Sequence, residues 1–572
     1  MDFGIWFLIG AALVFFMNAG FAMVESGFTR VKNSANILMK NLADFSLGTL
    51  AFILIGFSIM MSEEYVSGLI GVPNLGVFTD FENFDYANFV FNLVFCGTAA
   101  TIVSGAMAER TKFSAYCIYS VVISALIYPV EAGWVWNDNG WLATMGFIDF
   151  AGSAAIHMVG GICGFVGACF LGPRIGKYSV DKATGKKVAH AIPGHSMSLG
   201  ALGCFILWFG WYGFNGAAAG DVKQMGSIFM TTTLAPAAAL VATMFFTWIK
   251  NGKPDVSMAI NGALSGLVAI TAGCASVDAL GAIVIGLVAG IIVVLAIELI
   301  DFTLHVDDPV GAVAVHGVNG IWGAVAVGLF AAPVITGDGS ISEDLGLFYG
   351  GGLHQLGVQT LGTAAILVWT TVVAGILFFV VKKLKGLRVE PEDEVVGLDS
   401  SEHGLITTAG DLMPMTSADL QMIGATKAAS ASAAAASVAS SVSVSTTDSS
   451  SGKKLTKVTI ITRRSMFDAL KNAFDQIGIT GVTVTNVLGY GLQRGVQKYR
   501  GVVLESQLLP KIQVDIVVSK VPVELVVETA KKVLHTGNIG DGKIFVYDVE
   551  NVIKVRTGET GYDALQDSAA AK

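Results

Sequence analysis

The sequence predicts an all-α polytopic membrane protein of eleven transmembrane helices, with helices 1–5 and 6–10 as an inverted repeat, joined to a soluble α+β domain of ferredoxin-like type. Three observations carry that reading. The 572 residues have a mean hydropathy of +0.66, but the apolar excess stops near residue 385, beyond which the composition is that of a soluble domain. DFAGSAAIHMVGGICGFVGACFL (149–171) overlays DPVGAVAVHGVNGIWGAVAVGLF (308–330), each with an Asp followed eight residues later by a His. Gly161 and Gly320 then match, as do Gly164 and Gly323, the echo of a duplication of the kind that builds membrane transporters. From residue 455 onward the pattern changes to short strands and helices in the order βαββαβ.

Apolar runs long enough to span fall near 4–24, 41–61, 86–107, 113–130, 149–171, 195–216, 227–249, 256–273, 279–300, 308–331 and 360–382. The opening MDFGIWFLIGAALVFF lacks a basic leader and reads as a retained first span. Basic residues alternate by loop: Arg30, Lys32 and Lys40, then Arg110 and Lys112, then Arg174, Lys177, Lys182, Lys186 and Lys187. Lys250 and Lys253 follow, then Lys382, Lys383, Lys385 and Arg388 after the last helix. The positive-inside rule therefore puts the N-terminus outside and the C-terminus in the cytoplasm. Helices 5 and 10 then start on opposite sides, as an inverted repeat requires. Eight residues of helix at ~1.5 Å each would carry His157 and His316 roughly 12 Å from their Asp residues, toward one another.

A charged cytoplasmic tail is expected over 386–410 and an Ala/Ser-rich flexible linker over 411–453. Its forty or so residues have a root-mean-square reach of ~35 Å. The soluble domain occupies 454–566 and a disordered tail 567–572. Within it, 457–463, 482–487, 511–519 and 543–549 read as strands, and 467–478 and 524–535 as helices. A polar, glycine-spaced loop runs from Gly489 to about 509. The formal charge of −9 argues against a nucleic-acid partner. The six Cys lie in apolar segments without metal or redox spacing and read as small core residues. No nucleophile–base arrangement supports an enzyme.

His157 and His316 stand out. Ionisable residues deep in membrane helices are costly and line pathways, and a His kept from water favours its neutral form. A pair could pass a proton or hydrogen-bond a small solute. Asp149 and Asp308 read first as N-caps. Asp149, on the outer side, would also favour a cation arriving at a pore mouth. Trp134 and Trp136 nearby suit cation–π contact. In the soluble domain GNIGDGK offers a glycine-rich turn and a Lys that suit phosphate.

FNLVFCGTAATIVSGAMAERTKF, DFAGSAAIHMVGG, WFGWYGFNGAAAG, VDDPVGAVAVHGVNGIWG and GLRVEPEDEVVGLDSSEHG together resemble the ammonium transporter (Amt/Rh) family over about residues 1–405. The resemblance implies a homotrimer with one pore per subunit and ammonium or ammonia as substrate. It implies that Trp136 and Phe95 bind ammonium outside, with Asp149 supporting recruitment or deprotonation. Phe95 and Phe214 would form a gate above the twin His157 and His316. Where the family often has an outer-site Ser, this chain has Ala218.

Residues 455–566, through ITGVTVTNVLGYG, YRG, LLPKIQVDIVV, TGNIGDGKIFVYDV and VIKVRTGE, resemble the PII signal-transduction proteins, among them the GlnK-like ones. That likeness implies ATP or ADP as ligand, AMP as a further candidate, Mg with ATP, and 2-oxoglutarate. Gly540, Gly542, Lys543 and Arg556 would hold phosphates, with Asp541 and Lys554 in the same site and Thr483 and Gly489 near the adenosine. Gln493 would meet the metal and 2-oxoglutarate, with Lys511 near the latter. Arg500 matches the T-loop residue that such proteins insert into the pore exit. Leu504 stands where some relatives carry a modified Tyr, and Leu492 where a phosphate-contacting Arg stands. The implied whole is an inner-membrane ammonium transporter with its own regulator attached, or an ammonium sensor signalling through that regulator.

Overall fold

The structure, a computed structural model, describes residues 3–181, 184–405, 454–479, 481–489, 495–499, 502–506, 509–537 and 541–565. It divides into two compact units, Met1–His403 and Gly404–Lys572.

Among the described residues of the first unit, ten helices are long and apolar enough to cross a bilayer, from Gly4–Phe28 through Val31–Met61 to His354–Leu384. The eighth expected span, Val256–Thr271, is a shorter apolar helix. Apolar residues on both faces give the reason for such helices: Leu42, Phe205, Leu280 and Val368 point outward, where lipid satisfies them, and small residues line the inner contacts. Helix Phe3–Phe28 packs along Met197–Gly216, the sixth span, its counterpart in the repeat. Gly20 and Gly203 make that approach possible, since a Cβ on either would lie within 3.0 Å of the other helix.

The boundaries correct the sequence reading in two places. The second span begins at Val31, ten residues before the expected 41, so Lys40 is not a loop residue. It lies inside the bundle, 1% exposed, near the carboxylates of Glu25 and Asp44. The fifth and tenth spans begin at Ser153 and Val313, not at their Asp residues. Gly152 (φ 100°) and Gly311 (φ 82°) break the chain just before each helix, and both helices open with a wide π-turn. His157 is therefore only ~6 Å along its helix. The buried, non-helical segment Asp149–Gly152 supplies the remaining depth.

The tail after Arg388 folds back on the bundle. Lys32 donates to the carbonyls of Glu394 and Val395, at 3.1 and 2.6 Å, and the Asn36 N–H donates to Asp399 at 2.8 Å. All six Cys are free; Cys96, Cys163, Cys204 and Cys274 are buried, whereas Cys169 is exposed on the outer face of its helix.

In the second unit a four-stranded antiparallel sheet runs in the order Lys543–Asp548, Thr456–Thr462, Leu509–Val518, Thr483–Gly489. Helices Phe467–Gln476 and Val523–Leu534 pack on one face around Val458, Ile460, Phe474, Val514 and Val526. The expected loop after Gly489 contains a hairpin, Gly495–Tyr499 paired with Val502–Ser506. Val496, Tyr499, Val502 and Val503 are strong strand formers, a signal outweighed in the sequence by the glycines around them.

Candidate functional site

The residues singled out in the repeat converge on one column in the first unit. The rings of Phe95 and Phe214 lie with centroids 4.5 Å apart, and Trp136 lies 6.0 Å from Phe95. His157 stacks under Phe214 at 5.3 Å and beside Trp211 at 5.0 Å. His316 stacks on His157, with Nδ1 to Nδ1 at 3.2 Å, and Phe21 lies 6.0 Å beyond it.

That short nitrogen–nitrogen contact restricts the protons. One imidazole carries its hydrogen on Nδ1 and donates; the other accepts there and carries its hydrogen on Nε2. Two neutral rings so paired present one Nε2 acceptor and one Nε2–H donor. His157 Nε2 is buried with no hydrogen-bond partner among the described residues, so a polar guest would be matched there.

Two matched carboxylates fix the column. Asp149 Oδ1 accepts from the N–H groups of Gly152 and Ser153, at 3.1 and 2.7 Å. Its Oδ2 accepts from Ala154 and Ala155, both at 2.9 Å. Asp308 does the same for Gly311, Ala312 and Val313, at 3.1, 3.0 and 2.7 Å. Each caps the orphan donors at its helix start. The Asp149 side chain thus makes four hydrogen bonds within its own turn, and its backbone carbonyl accepts from Trp136 Nε1 at 2.9 Å. Trp136, not Trp134, reaches the column. Trp134 is buried to the side between Trp141 and Trp369, its Nε1 bonded to the Leu69 carbonyl. Ala218 is exposed in an open depression shared with Phe7, Asp85 and Asn88.

Sequence reasoning missed Phe21, Glu25, Trp211 and Asn261. Phe21, Glu25 and Asn261 line a small cavity of about 30 Å³, room for one water-sized guest, that continues from His316. The rule that singled out the histidines also applies to Glu25, an ionisable group inside the first apolar run.

Outside the spans, Glu109 and Asp307 hold Arg174 between them: its Nη1 is 3.0 Å from Glu109 and its Nε 2.8 Å from Asp307. Burial would raise the Glu109 carboxyl, but Arg30 and Arg174 override it and bring its pKa down to about 2. Asp307 is likewise held below the carboxylate range by Arg174 and Arg110, against its burial.

In the second unit Gln493, Arg500 and Gly540 lie outside the described residues. Thr483 begins its strand and Gly489 ends it. Asp541 accepts from the backbone N–H of Thr536 and Gly537, at 2.7 and 3.2 Å, and pairs with Arg463 at 3.4 Å. The Thr536 hydroxyl, which donates to Asp541 at 2.5 Å, keeps its carboxyl low, together with those N–H groups and Arg463. Gly542 has φ 122°, and a Cβ there would sit 2.1 Å from the Ile461 carbonyl. Burial, with Arg463 as neighbour, lowers the Lys511 ammonium. Arg463 therefore joins Lys511 and Asp541 at one corner, a cation the sequence reading did not name. Lys543 begins the last strand, Lys554 pairs with Glu559 at 3.7 Å, and Arg556 is exposed.

A bundle of two antiparallel-related halves, with buried aromatic and imidazole rings stacked where they cross, defines a polytopic membrane transporter. The chain belongs to the ammonium transporter family, whose model, "Ammonium Transporter Family", matches residues 5–408. Residues 455–559 match the model "Nitrogen regulatory protein P-II". Ammonium transporter Amt2 of Archaeoglobus fulgidus is 41% identical, over 74% of this chain and 91% of that protein. A solved "Sensor Amt Protein" superposes with a TM-score of 0.64 at 36% identity, over 70% of this chain and 98% of that one. The crystal structure of Saccharomyces cerevisiae Mep2 superposes at 0.61 with 28% identity, over 68% and 88%.

Proposed function

We propose that ammonium is taken up through the Phe95–Phe214–His157–His316 column and that the attached P-II domain controls its passage. The 3.2 Å contact between His157 and His316 carries the reading. It leaves, in an otherwise apolar column, one donor and one acceptor suited to a small polar molecule and to proton exchange. Phe95 and Trp136 would hold the cation outside by cation–π attraction. Phe214 would close the column above the histidines, and Asp149 would act by shaping the turn that delivers His157. Ala218 leaves the outer depression without a hydroxyl donor. The N-terminus would lie outside, the P-II domain in the cytoplasm, and three copies would assemble in the inner membrane.

The residues present in the P-II domain fit an adenine nucleotide: the Cβ-free turn at Gly542 with Lys543 and Arg556 suits its phosphates, and Arg463 with Lys511 suits a carboxylate such as that of 2-oxoglutarate. Gly540, Lys554, Thr483 and Gly489 would complete the nucleotide site and Gln493 that for Mg, while Arg500 would reach the pore exit. A nucleotide supplies charge that biases one arrangement of the T-loop over another. Tethering raises the regulator's local concentration to the order of millimolar. Block and release then follow each ligand's differential affinity for the two states.

A second reading, an ammonium sensor with little flux, is favoured by the 36% identity to a protein titled "Sensor Amt Protein". Ammonium-evoked current on a supported membrane, with ADP or with ATP plus 2-oxoglutarate on the P-II side, tests both. Current that one ligand set suppresses and the other restores is expected. Equal current from the full chain and from a truncation after Gly404, with every nucleotide, would sink self-regulation. Saturable binding without current would establish the sensor.

A further inference from the structure

The cavity beyond His316 has three polar groups in an apolar wall: His316 itself, Glu25 and Asn261. Glu25 lies one helical turn after Phe21, on the same face, so its carboxylate is ~6 Å further along the column. It is 3% exposed, and its Oε2 accepts from Ser104 Oγ at 2.7 Å. Asn261 donates its amide N–H to the Val310 carbonyl at 3.2 Å, which leaves the side-chain oxygen as an acceptor.

Behind Glu25 the charges do not cancel. Glu25 and Asp44 are two buried carboxylates, and Lys40 is the one ammonium between them. The next groups, Arg110 and Glu109, are one of each sign. A buried carboxylate without a counterpart is neutralised by a proton or by a cation, and beside Glu25 the cavity has room for the cation. The fold already shows how it accommodates such a group. Lys40 Nζ sits 3.4 Å from the Ser104 carbonyl and 5.2 Å above the Tyr116 ring, whose hydroxyl donates to Asp44 at 2.5 Å. Glu25, the Asn261 oxygen and the Phe21 ring repeat that set of carboxylate, amide oxygen and aromatic face, and the cavity supplies the space.

We propose that Glu25 anchors an inner binding site for an ammonium-type monovalent cation, one turn beyond the histidine pair and at the opposite end of the column from Phe95 and Trp136. Its role in passage rests on the transport reading above; the site itself does not. The cation would donate to Glu25 and to the Asn261 oxygen, with Phe21 against its remaining face. Such a station holds the ion at the end of the column away from Phe95 and Trp136, so its occupancy governs release.

Thallium(I), an ammonium-sized cation with strong anomalous scattering, is the probe. Crystals of the full-length chain soaked in thallium acetate should show an anomalous peak between Glu25 and Asn261, lost on adding excess ammonium. Glu25→Gln should abolish the peak, and Asn261→Leu should weaken it severalfold without touching the carboxylate. No peak in the unmodified protein, a peak that ammonium does not displace, or one of equal height in Glu25→Gln would overturn the site. Current separates the two readings. A thallium peak without ammonium current leaves the inner site standing and removes transport; current without a peak does the reverse. Where both hold, Glu25→Gln should raise the half-saturating ammonium concentration about tenfold from the P-II side and leave the opposite side unchanged.

Discussion

Gly161 and Gly317 face each other across the crossing of the fifth and tenth spans, so close that a Cβ on Gly161 would lie 2.1 Å from the Gly317 nitrogen. His157 is one turn before Gly161, and His316 immediately precedes Gly317. The contact between the imidazoles is therefore set by backbone meeting backbone.

Gly161→Ala should force the helices apart and separate the rings. Overpacking of this kind costs about 1–3 kcal/mol, and we expect lower thermal stability of the solubilised protein together with loss of ammonium current. Gly375→Ala, in the last span where a Cβ meets nothing within 4 Å, is the control. It should hold or raise stability by up to ~1 kcal/mol.

Asp149→Asn keeps one acceptor oxygen for two of the four N–H groups, whereas Asp149→Ala leaves all four unpaired in a buried turn. Losing a cap costs about 0.5–2 kcal/mol, and buried orphan donors about 1–3 kcal/mol each. Asp149→Ala should therefore fail to accumulate as folded protein, and Asp149→Asn should fold with reduced stability. If the carboxylate acts only as a cap, Asp149→Asn per folded molecule should retain current; a total loss would reveal a direct part in handling the cation.

The matched Asp and His residues and the glycine spacing were legible because a duplicated constraint writes itself twice. Which Trp meets Phe95 was legible only through the family resemblance, which implies Trp136; spacing alone leaves Trp134 equally placed, and the packing against Trp141 and Trp369 separates them. Lys40 misled for a related reason: a basic residue near a span's end reads as a loop marker, and the partners that allow its burial, Glu25 and Asp44, are 15 residues before it and four after. The start of each helix at Ser153 and Val313 depends on glycine backbone angles that no apolar pattern reports.

The Glu109–Arg174–Asp307 cluster predicts an acid limit. Glu109 is held at about 2 and Asp307 below its usual range, against ~4 for such groups in an unfolded chain. Both folded values are depressed, so their contribution is complete above the unfolded value and is lost as pH falls through the folded one. Thermal stability of the membrane unit should be flat with respect to this cluster from about pH 7 to 5 and fall between about pH 4 and 2. Glu109→Gln should lower the plateau and flatten part of that fall. An unchanged acid limb would show that other carboxylates set it.

The corner of Arg463, Lys511 and Asp541 would separate the two ligands proposed for the P-II domain. Arg463 pairs with Asp541 and neighbours Lys511, so Arg463→Ala removes a cation from the corner without altering the turn at Gly542. Gly542→Ala instead places a Cβ against the Ile461 carbonyl at a φ of 122°, and the turn must shift. Titration calorimetry on the full chain should show Arg463→Ala weakening 2-oxoglutarate about tenfold in the presence of ATP, with ATP itself little changed. Gly542→Ala should weaken ATP and ADP alike. Equal losses of both ligands in both variants would mean that the two subsites are one.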